Sequence, residues 1–107
     1  MTCIEEALFL DDSVHQVVVL ALSNESLFVE VQPLNGSSDR AQAEFVSPVI
    51  VSVDTSYVEP DEAELPWEII GFDSHNLSDE KWSFCLHTEG GEWAFESTWP
   101  AIRRVRP

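Results

Sequence analysis

The sequence predicts a mainly β, single-domain fold: an antiparallel β-sandwich or half-open barrel of six to eight strands, with little helix. Apolar and polar residues alternate along several segments, as expected of strands that bury one face. Clusters of turn-forming residues separate these segments. The chain of 107 residues, with six Phe and four Trp to bury, suits one domain over residues 1–107.

The first predicted hairpin joins Val14–Leu22 to Leu27–Gln32 through the turn-forming residues 23–26. Its expected register sets apolar residues opposite each other on one face: Leu22 with Leu27, Leu20 with Val29, and Val18 with Val31. His15 falls on the other, outward-facing side of this hairpin.

A second hairpin is predicted to join Lys81–Thr88 to Glu92–Thr98 across the Gly90-Gly91 pair, because glycine readily adopts positive φ. Its expected register pairs Glu89 with Glu92, Leu86 with Phe95, Phe84 with Ser97, and Trp82 with Trp99. The aromatic residues then share one inner face, whereas Cys85 and His87 lie on the more polar opposite face.

Three other segments complete the predicted sheet. Phe45–Val53 is apolar and β-branched, and Pro48 within it indicates an edge strand or a bulge. Trp67–Phe72 reads as a short strand that the loop of residues 73–76 follows. Cys3–Leu10 suits either a helical turn or a strand, and the turn-forming residues 11–13 after it favour the strand.

Two loops are expected. Residues 33–42 are polar, and Ser38 is a candidate to begin one helical turn there. Residues 54–66 form a long acidic loop, and loops of about a dozen residues are more often functional or mobile than inert.

Charge is the strongest functional feature of the sequence. Twenty Asp and Glu stand against five Lys and Arg, which gives a formal net charge of −15. Three of the five basic residues lie in the C-terminal tail of residues 101–107, so residues 1–102 carry 2 − 20 = −18. Such a field repels nucleic acid and anionic membranes and favours a basic partner. The basic tail is expected to fold back onto the acidic body as an internal electrostatic latch.

The cellular location is predicted from weaker features of the sequence. Cys3 and Cys85 are too few for a disulfide framework and lack the spacing of a metal motif. The N-terminus has no signal-peptide pattern, and the longest apolar run, Val17–Leu22, is far shorter than a membrane helix. We therefore expect a soluble, cytoplasmic protein with no cofactor.

No catalytic or metal-binding constellation is predicted. The histidines His15, His75 and His87 are not spaced as zinc ligands, and the acidic loop lacks the order of an EF-hand. Cys85 and His87 are two residues apart on one strand, and residues so placed lie ~7 Å apart, too far for a nucleophile and its base.

The leading hypothesis is a non-catalytic binding module, such as an immunity or inhibitor-type protein, whose acidic surface engages a basic protein. The candidate contact residues are those of the acidic loop and the strand after it: Glu59, Asp61, Glu62, Glu64, Trp67 and Glu68. A cationic group could stack on Trp67 while the carboxylates attract it.

Two alternatives stay open. One is a small-ligand binder or enzyme with a site in the mouth of the sandwich or barrel, formed by Trp67, His75 or His87. The other is a structural or oligomerising protein in which an exposed sheet edge pairs with a second copy. The sequence leaves the oligomeric state open.

Overall fold

A single antiparallel sheet of eight strands and one short helix form the part of the chain that the computed structural model describes, residues 3–11, 13–35, 38–54 and 66–105. This architecture confirms the predicted mainly β fold. The elements in chain order are α1 (Ile4–Leu8), β1 (His15–Ser23), β2 (Ser26–Pro33), β3 (Arg40–Val46), β4 (Val49–Asp54), β5 (Trp67–Ser78), β6 (Lys81–Thr88), β7 (Gly91–Ser97) and β8 (Ala101–Val105).

The strand order is β4-β7-β6-β5-β1-β2-β3-β8, and the long strand β5 belongs to both halves of the sheet. Its first two residues pair with β1, whereas Ile69 onward pairs with β6. One half therefore contains β1, β2, β3 and β8 (the β1 half), and the other contains β4, β6 and β7 (the β6 half). In the described residues no helix has the length and apolar character that a membrane crossing requires.

The core lies between the two halves. Phe45 of β3 contacts rings of the β6 half, with centroid distances of 4.9 Å to Phe84 and 4.8 Å to Phe95. The fully buried members of the core are apolar: Ile4, Leu8, Val17, Val29, Val31, Ala41, Ala43, Phe45 and Leu86. Burial of these side chains is the main force that holds the halves together.

The first hairpin has the predicted register near its turn, where Leu22 pairs with Leu27 and Leu20 pairs with Val29. The predicted pairing of Val18 with Val31 is wrong, because a β-bulge shifts the register and sets Val17 opposite Val31. The extra residue of a bulge turns a side chain to the other face. Here it brings the Val17 side chain into the core, fully buried.

The second hairpin has the predicted faces but a register that differs by two residues. Leu86 pairs with Trp93, Phe84 pairs with Phe95, and the two-residue turn is Glu89-Gly90 instead of Gly90-Gly91. Thr88 fixes this turn, since its Oγ1 donates to the Gly91 carbonyl and accepts from the Gly90 N–H, both at 3.0 Å. The inner face is unchanged, because a shift of two residues preserves the alternation of a strand.

The predicted strand Phe45–Val53 is two strands in the structure. Ser47 has a φ of 47° and precedes Pro48, so the chain leaves β3 at this point and enters β4. The Ser47 N–H donates to the Glu25 carbonyl at 2.7 Å. The chain thereby passes from the β1 half, where β3 pairs with β2, to the β6 half, where β4 pairs with β7.

The N-terminal segment is a helix, so the strand predicted for Cys3–Leu10 is wrong. Ile4 and Leu8 lie one turn apart on the same face of α1 and are both fully buried. Two hydrogen bonds fix the helix on β5: Ile4 N–H donates to Ser74 Oγ at 3.0 Å, and the Glu5 carboxylate accepts from Phe72 N–H at 3.1 Å.

Strand pairing also replaces two predicted loops. Residues 73–76 belong to β5, because the ladder with β6 continues from Asp73 opposite Cys85 to Asn76 opposite Trp82. Residues 40–42 begin β3 and pair with β2 and β8, so Ser38 starts no helical turn. In both places a neighbouring strand provides hydrogen-bond partners for the backbone N–H and C=O groups, and this pairing could not be predicted from the sequence alone.

The C-terminal tail returns to the body of the domain as β8, which pairs with β3. The contact uses backbone pairing and a hydrogen bond from Arg103 Nε to Gln42 Oε1 at 2.9 Å. Among the described residues Arg103 and Arg104 form no ion pair, and Arg106 lies outside the described residues. The electrostatic latch therefore stays a prediction.

Candidate functional site

The two ends of the predicted acidic loop meet at one end of the β6 half. Val53, next to last in β4, pairs with Trp93, and the Trp93 ring stacks on Trp67 with centroids 5.0 Å apart. Asp54 and Pro66, which flank the segment 55–65, therefore both lie beside this stack. The predicted contact residues within that segment lie outside the described residues: Glu59, Asp61, Glu62 and Glu64.

Trp67 is a packing residue of this end of the sheet. Only 8% of its surface is exposed, because the indole ring stacks on Trp93 and Gly90 packs directly against it. The stacking of a cationic group on Trp67, which the sequence suggested, has little ring surface available. The residue instead positions its neighbours on β5 and on the β6–β7 turn.

Glu68 is exposed and is held beside Glu89 by two hydrogen bonds. The Glu89 N–H donates to the Glu68 carbonyl at 3.0 Å, and the Glu68 N–H donates to the Glu89 carboxylate at 3.1 Å. Glu92 follows on β7, where it pairs with Asp54. These four exposed residues, Asp54, Glu68, Glu89 and Glu92, are named the acidic end.

Cationic side chains do little to neutralise the acidic end. Among the described residues, the Lys and Arg ion pairs are Arg40 with Glu30 and Lys81 with Glu96. Neither pair includes Glu68, Glu89 or Glu92. Exposed carboxylates that lie near one another without a Lys or Arg partner produce a locally strong negative potential.

His87 is the one positive group that the described structure places against the acidic end. Its Nδ1 lies 2.9 Å from Glu92 Oε1, and its Nε2 lies 3.2 Å from Asp73 Oδ2. Ionised carboxylates only accept hydrogen bonds, so this geometry suits an imidazolium in which both nitrogens donate. The hydrogen bond to Glu92 is the main cause that raises the pKa of His87 above its usual value, and Asp73 adds to it.

The sequence missed this arrangement for two reasons. The predicted register set Glu92 opposite Glu89, whereas the observed register sets it opposite His87. Asp73 was assigned to a loop, although it belongs to β5 and pairs with Cys85, a near neighbour of His87 on β6. A two-residue turn placed at Glu89-Gly90 would have revealed the His87–Glu92 pair.

Cys85 lies on the same outer face but is not paired with a base. Burial is the main cause that raises the pKa of its thiol, and the negative charges of Glu92 and Asp73 raise it further. A thiol is a weak nucleophile, and both nitrogens of His87 are already engaged by carboxylates. Cys85 and His87 therefore do not form a nucleophile–base pair in this arrangement.

The other two histidines lie elsewhere. His15, predicted to face outward, is fully buried: Leu10 N–H donates to its Nε2 at 3.1 Å, and its Nδ1 donates to the Ser13 carbonyl at 2.7 Å. It ties the N-terminal segment to β1. His75 is exposed on β5. In the parts of the chain described, no group of three His, Cys, Asp or Glu side chains is placed to hold a metal ion.

Glu92→Gln is expected to lower the pKa of His87 more than Asp73→Asn, because the hydrogen bond to Glu92 is the largest cause of the raised value. The pKa of His87 in the folded chain lies above the ordinary value of 6.5, so the charged imidazole stabilises the fold. That contribution is fully present below the pKa of the unfolded chain and is lost as the pH rises through the folded-state pKa. NMR titration of the His87 ring protons measures both shifts, and an unchanged pKa in both variants would contradict the two contacts.

Comparison with protein-family models, with curated proteins and with solved structures finds no match for this chain. The function is therefore argued from the acidic end and its surroundings alone. What distinguishes this surface is a set of exposed carboxylates around one end of the sheet.

Proposed function

We propose that this domain is a non-catalytic binding module that engages a basic protein through the acidic end. An immunity or inhibitor-type protein, which covers a positively charged site on its target, is the specific form proposed. The observation that carries the proposal is the exposed group Glu68, Glu89 and Glu92 around the β6–β7 turn. Two hydrogen bonds join Glu68 to Glu89, and among the described residues none of the three forms an ion pair with Lys or Arg.

The sequence of the segment 55–65 and the placement of its flanking residues support the same surface. The sequence adds Glu59, Asp61, Glu62 and Glu64 without a basic residue. The flanking residues are Asp54, a member of the acidic end, and Pro66, which precedes Trp67. These four acids, with Glu68, are the partner contacts proposed. Trp67 contributes by holding this end of the sheet in place through its stack on Trp93.

The bulk charge supports the choice of partner. At −15 the chain attracts a basic surface over a distance, and complementary charge acts mainly on the rate of association. The proposed location is the cytoplasm, where the free thiols of Cys3 and Cys85 would stay reduced.

The test begins with capture of basic proteins from native lysate on the immobilised chain, at low and at high salt. The association rate of each purified protein that elutes between the two is then measured against ionic strength. We expect this rate to fall on the order of tenfold as the salt rises to a physiological level.

A matched pair of variants locates the contact. Glu68→Gln with Glu89→Gln removes two charges from the acidic end, and Asp79→Asn with Glu80→Gln removes two exposed charges from the β5–β6 turn at the opposite end of that hairpin. The first pair is expected to slow association more than the second. Equal effects, or a rate independent of ionic strength, would reject the proposed function.

A further inference from the structure

One edge of the sheet is apolar and exposed. Strand β4 lies at the end of the strand order and, among the described residues, pairs with β7 alone. All six of its residues are exposed, and four of them are β-branched and apolar: Val49, Ile50, Val51 and Val53, with 43–60% of their surface exposed. Natural proteins usually protect such an edge, because its free backbone groups can pair with another strand.

The opposite edge is protected in the usual way. Strand β8 carries Arg103 and Arg104, both exposed, and charged side chains on an edge strand oppose pairing with another chain. Strand β4 has no basic residue and only Asp54 as a charge. The two edges of the sheet therefore differ in their capacity to accept a further strand.

On the inner side of β4, apolar side chains are also largely exposed. Ile50 pairs with Phe95 and Val53 pairs with Trp93, which are residues of the inner face, yet Ile50 and Val53 remain 43% and 52% exposed. The apolar surface continues past the start of β4 into an open cavity of about 490 Å³ that Leu22 and Pro48 help to line. Six of the ten large apolar residues exposed in the described structure belong to this region: Leu22, Val46, Val49, Ile50, Val51 and Val53.

We propose that a basic, extended segment of the partner pairs with β4 as an additional strand of the sheet. This inference rests on the proposed function and specifies how the partner binds. Strand addition supplies affinity through main-chain hydrogen bonds and specificity through the alternating side chains.

The charge of the surrounding residues selects a basic segment over a second copy of the chain. On the outer side of the sheet, β4 pairs Val49 with Glu96 and Asp54 with Glu92. A strand added ~4.8 Å from β4 lies about one strand spacing from Asp54 and about two from Glu92 and Glu96. Its Lys and Arg side chains would reach these two glutamates in competition with their present partners, His87 and Lys81. A second copy would bring another net charge of −15 to the same edge.

The alternation of the added strand defines the sequence that fits. Its outward side chains lie on the same side as the carboxylates of β7. Its inward side chains cover Ile50 and Val53, which share the inner side because of the β-bulge between Ile50 and Ser52. The inferred recognition pattern is thus an alternation of basic and apolar residues.

The experiment uses a short capped peptide in which lysine and valine alternate, with the full-length, isotopically labelled chain. We expect the backbone amide signals of Val49–Asp54 to shift on binding. Two further peptides carry N-methyl groups on all valine amides or on all lysine amides. Only alternate residues of a strand direct their N–H groups at one neighbour, so one of these two peptides is expected to bind about tenfold more weakly and the other to bind normally.

A matched pair of variants tests the edge itself. Ile50→Ser with Val53→Ser removes two exposed apolar side chains from β4, and Ile70→Ser with Leu77→Ser removes two from β5. Only the first pair is expected to weaken binding of the alternating peptide, again by about tenfold. Thermal unfolding of both double variants verifies that each is folded.

Several results would overturn the inference. If both N-methylated peptides bind equally well, binding does not depend on the main-chain hydrogen bonds of an added strand. If a peptide of the same composition with its lysines in one block binds as well as the alternating peptide, binding does not depend on the alternation. Either result would show that the peptide binds by charge alone and would leave the proposed function intact. Absence of peptide binding together with salt-dependent capture of a basic protein would also overturn strand addition and leave the proposed function intact. Self-association of the chain with shifts of the Val49–Asp54 amide signals would show that a second copy pairs with this edge. If neither the peptide nor a basic protein binds, the proposed function is rejected as well.

Discussion

Replacing Gly90 with alanine is expected to lower the free energy of unfolding by about 3 kcal/mol, at the upper end of what overpacking usually costs. An ideally placed Cβ at this position would lie 2.6 Å from Cγ of Trp67 and closer still to the Cδ2 and Cε2 atoms of the same ring. Real Cβ atoms do not approach neighbouring atoms so closely. Either the Trp67 ring or the β6–β7 turn must therefore move.

Neither group moves easily. The Trp67 ring stacks on Trp93 with a centroid distance of 5.0 Å, so it cannot retreat without displacing a second large side chain. The turn is held by the Thr88 hydroxyl, which bonds Gly90 N–H and the Gly91 carbonyl at 3.0 Å each. Chemical denaturation of the wild type and the variant measures the loss.

Gly71→Ala is the matched control, because Gly71 lies on β5, where it pairs with His87 of β6, and has space beside it. Its nearest neighbouring atom would be His87 Cδ2 at 4.0 Å, an ordinary contact distance. Alanine loses less chain entropy than glycine in a strand, so this variant is expected to gain about 0.5 kcal/mol instead of losing stability. Combining Gly90→Ala with Trp67→Ala should remove most of the cost. A cost that persisted without the Trp67 ring would show that the turn backbone, and not the ring, excludes a side chain there.

The contact between Gly90 and the Trp67 ring illustrates which parts of the fold could be predicted from the sequence and which could not. Alternation with period two predicted the faces of the second hairpin correctly, because a register error of two residues leaves every side chain on its own side. In the first hairpin it failed at the start of β1, where the β-bulge places Val17 in the core and His15 is fully buried. The position of the Glu89-Gly90 turn could not be predicted locally, since Trp67, twenty-odd positions earlier, decides which glycine must lack a side chain. The N-terminal helix depends in the same way on partners far along the chain, Ser74 and Phe72.

The candidate site could likewise be predicted only in part. Composition alone predicted the acidity and its concentration around residues 54–68. The contacts of His87 with Glu92 and Asp73 could not be predicted from the sequence. They require the register that sets Glu92 opposite His87 and the extension of β5 through Asp73. Long-range strand pairing, which single-sequence patterns specify least, thus creates the electrostatic detail of the site.

Phe45→Ala is expected to lower the free energy of unfolding by about 4 kcal/mol, within the range measured for a buried phenylalanine. Phe45 is fully buried, and its ring meets Phe84 and Phe95 edge-on at interplanar angles of 67° and 79°. Its loss leaves a cavity where the β1 half contacts the β6 half. Because small domains have only about 5–15 kcal/mol of total stability, a loss of this size removes between about a quarter and four-fifths of it.

Val46→Ala tests whether the effect comes from the interface between the halves. Val46 is the next residue of β3 but is 51% exposed, so its truncation should change stability by about 0.5 kcal/mol or less. Phe45→Ala should lower the denaturation midpoint and leave the slope of the transition unchanged, because β5 pairs with both β1 and β6 and makes the halves unfold together. A shallower or two-step transition would show instead that Phe45, and not the shared strand β5, joins the two halves into one cooperative unit.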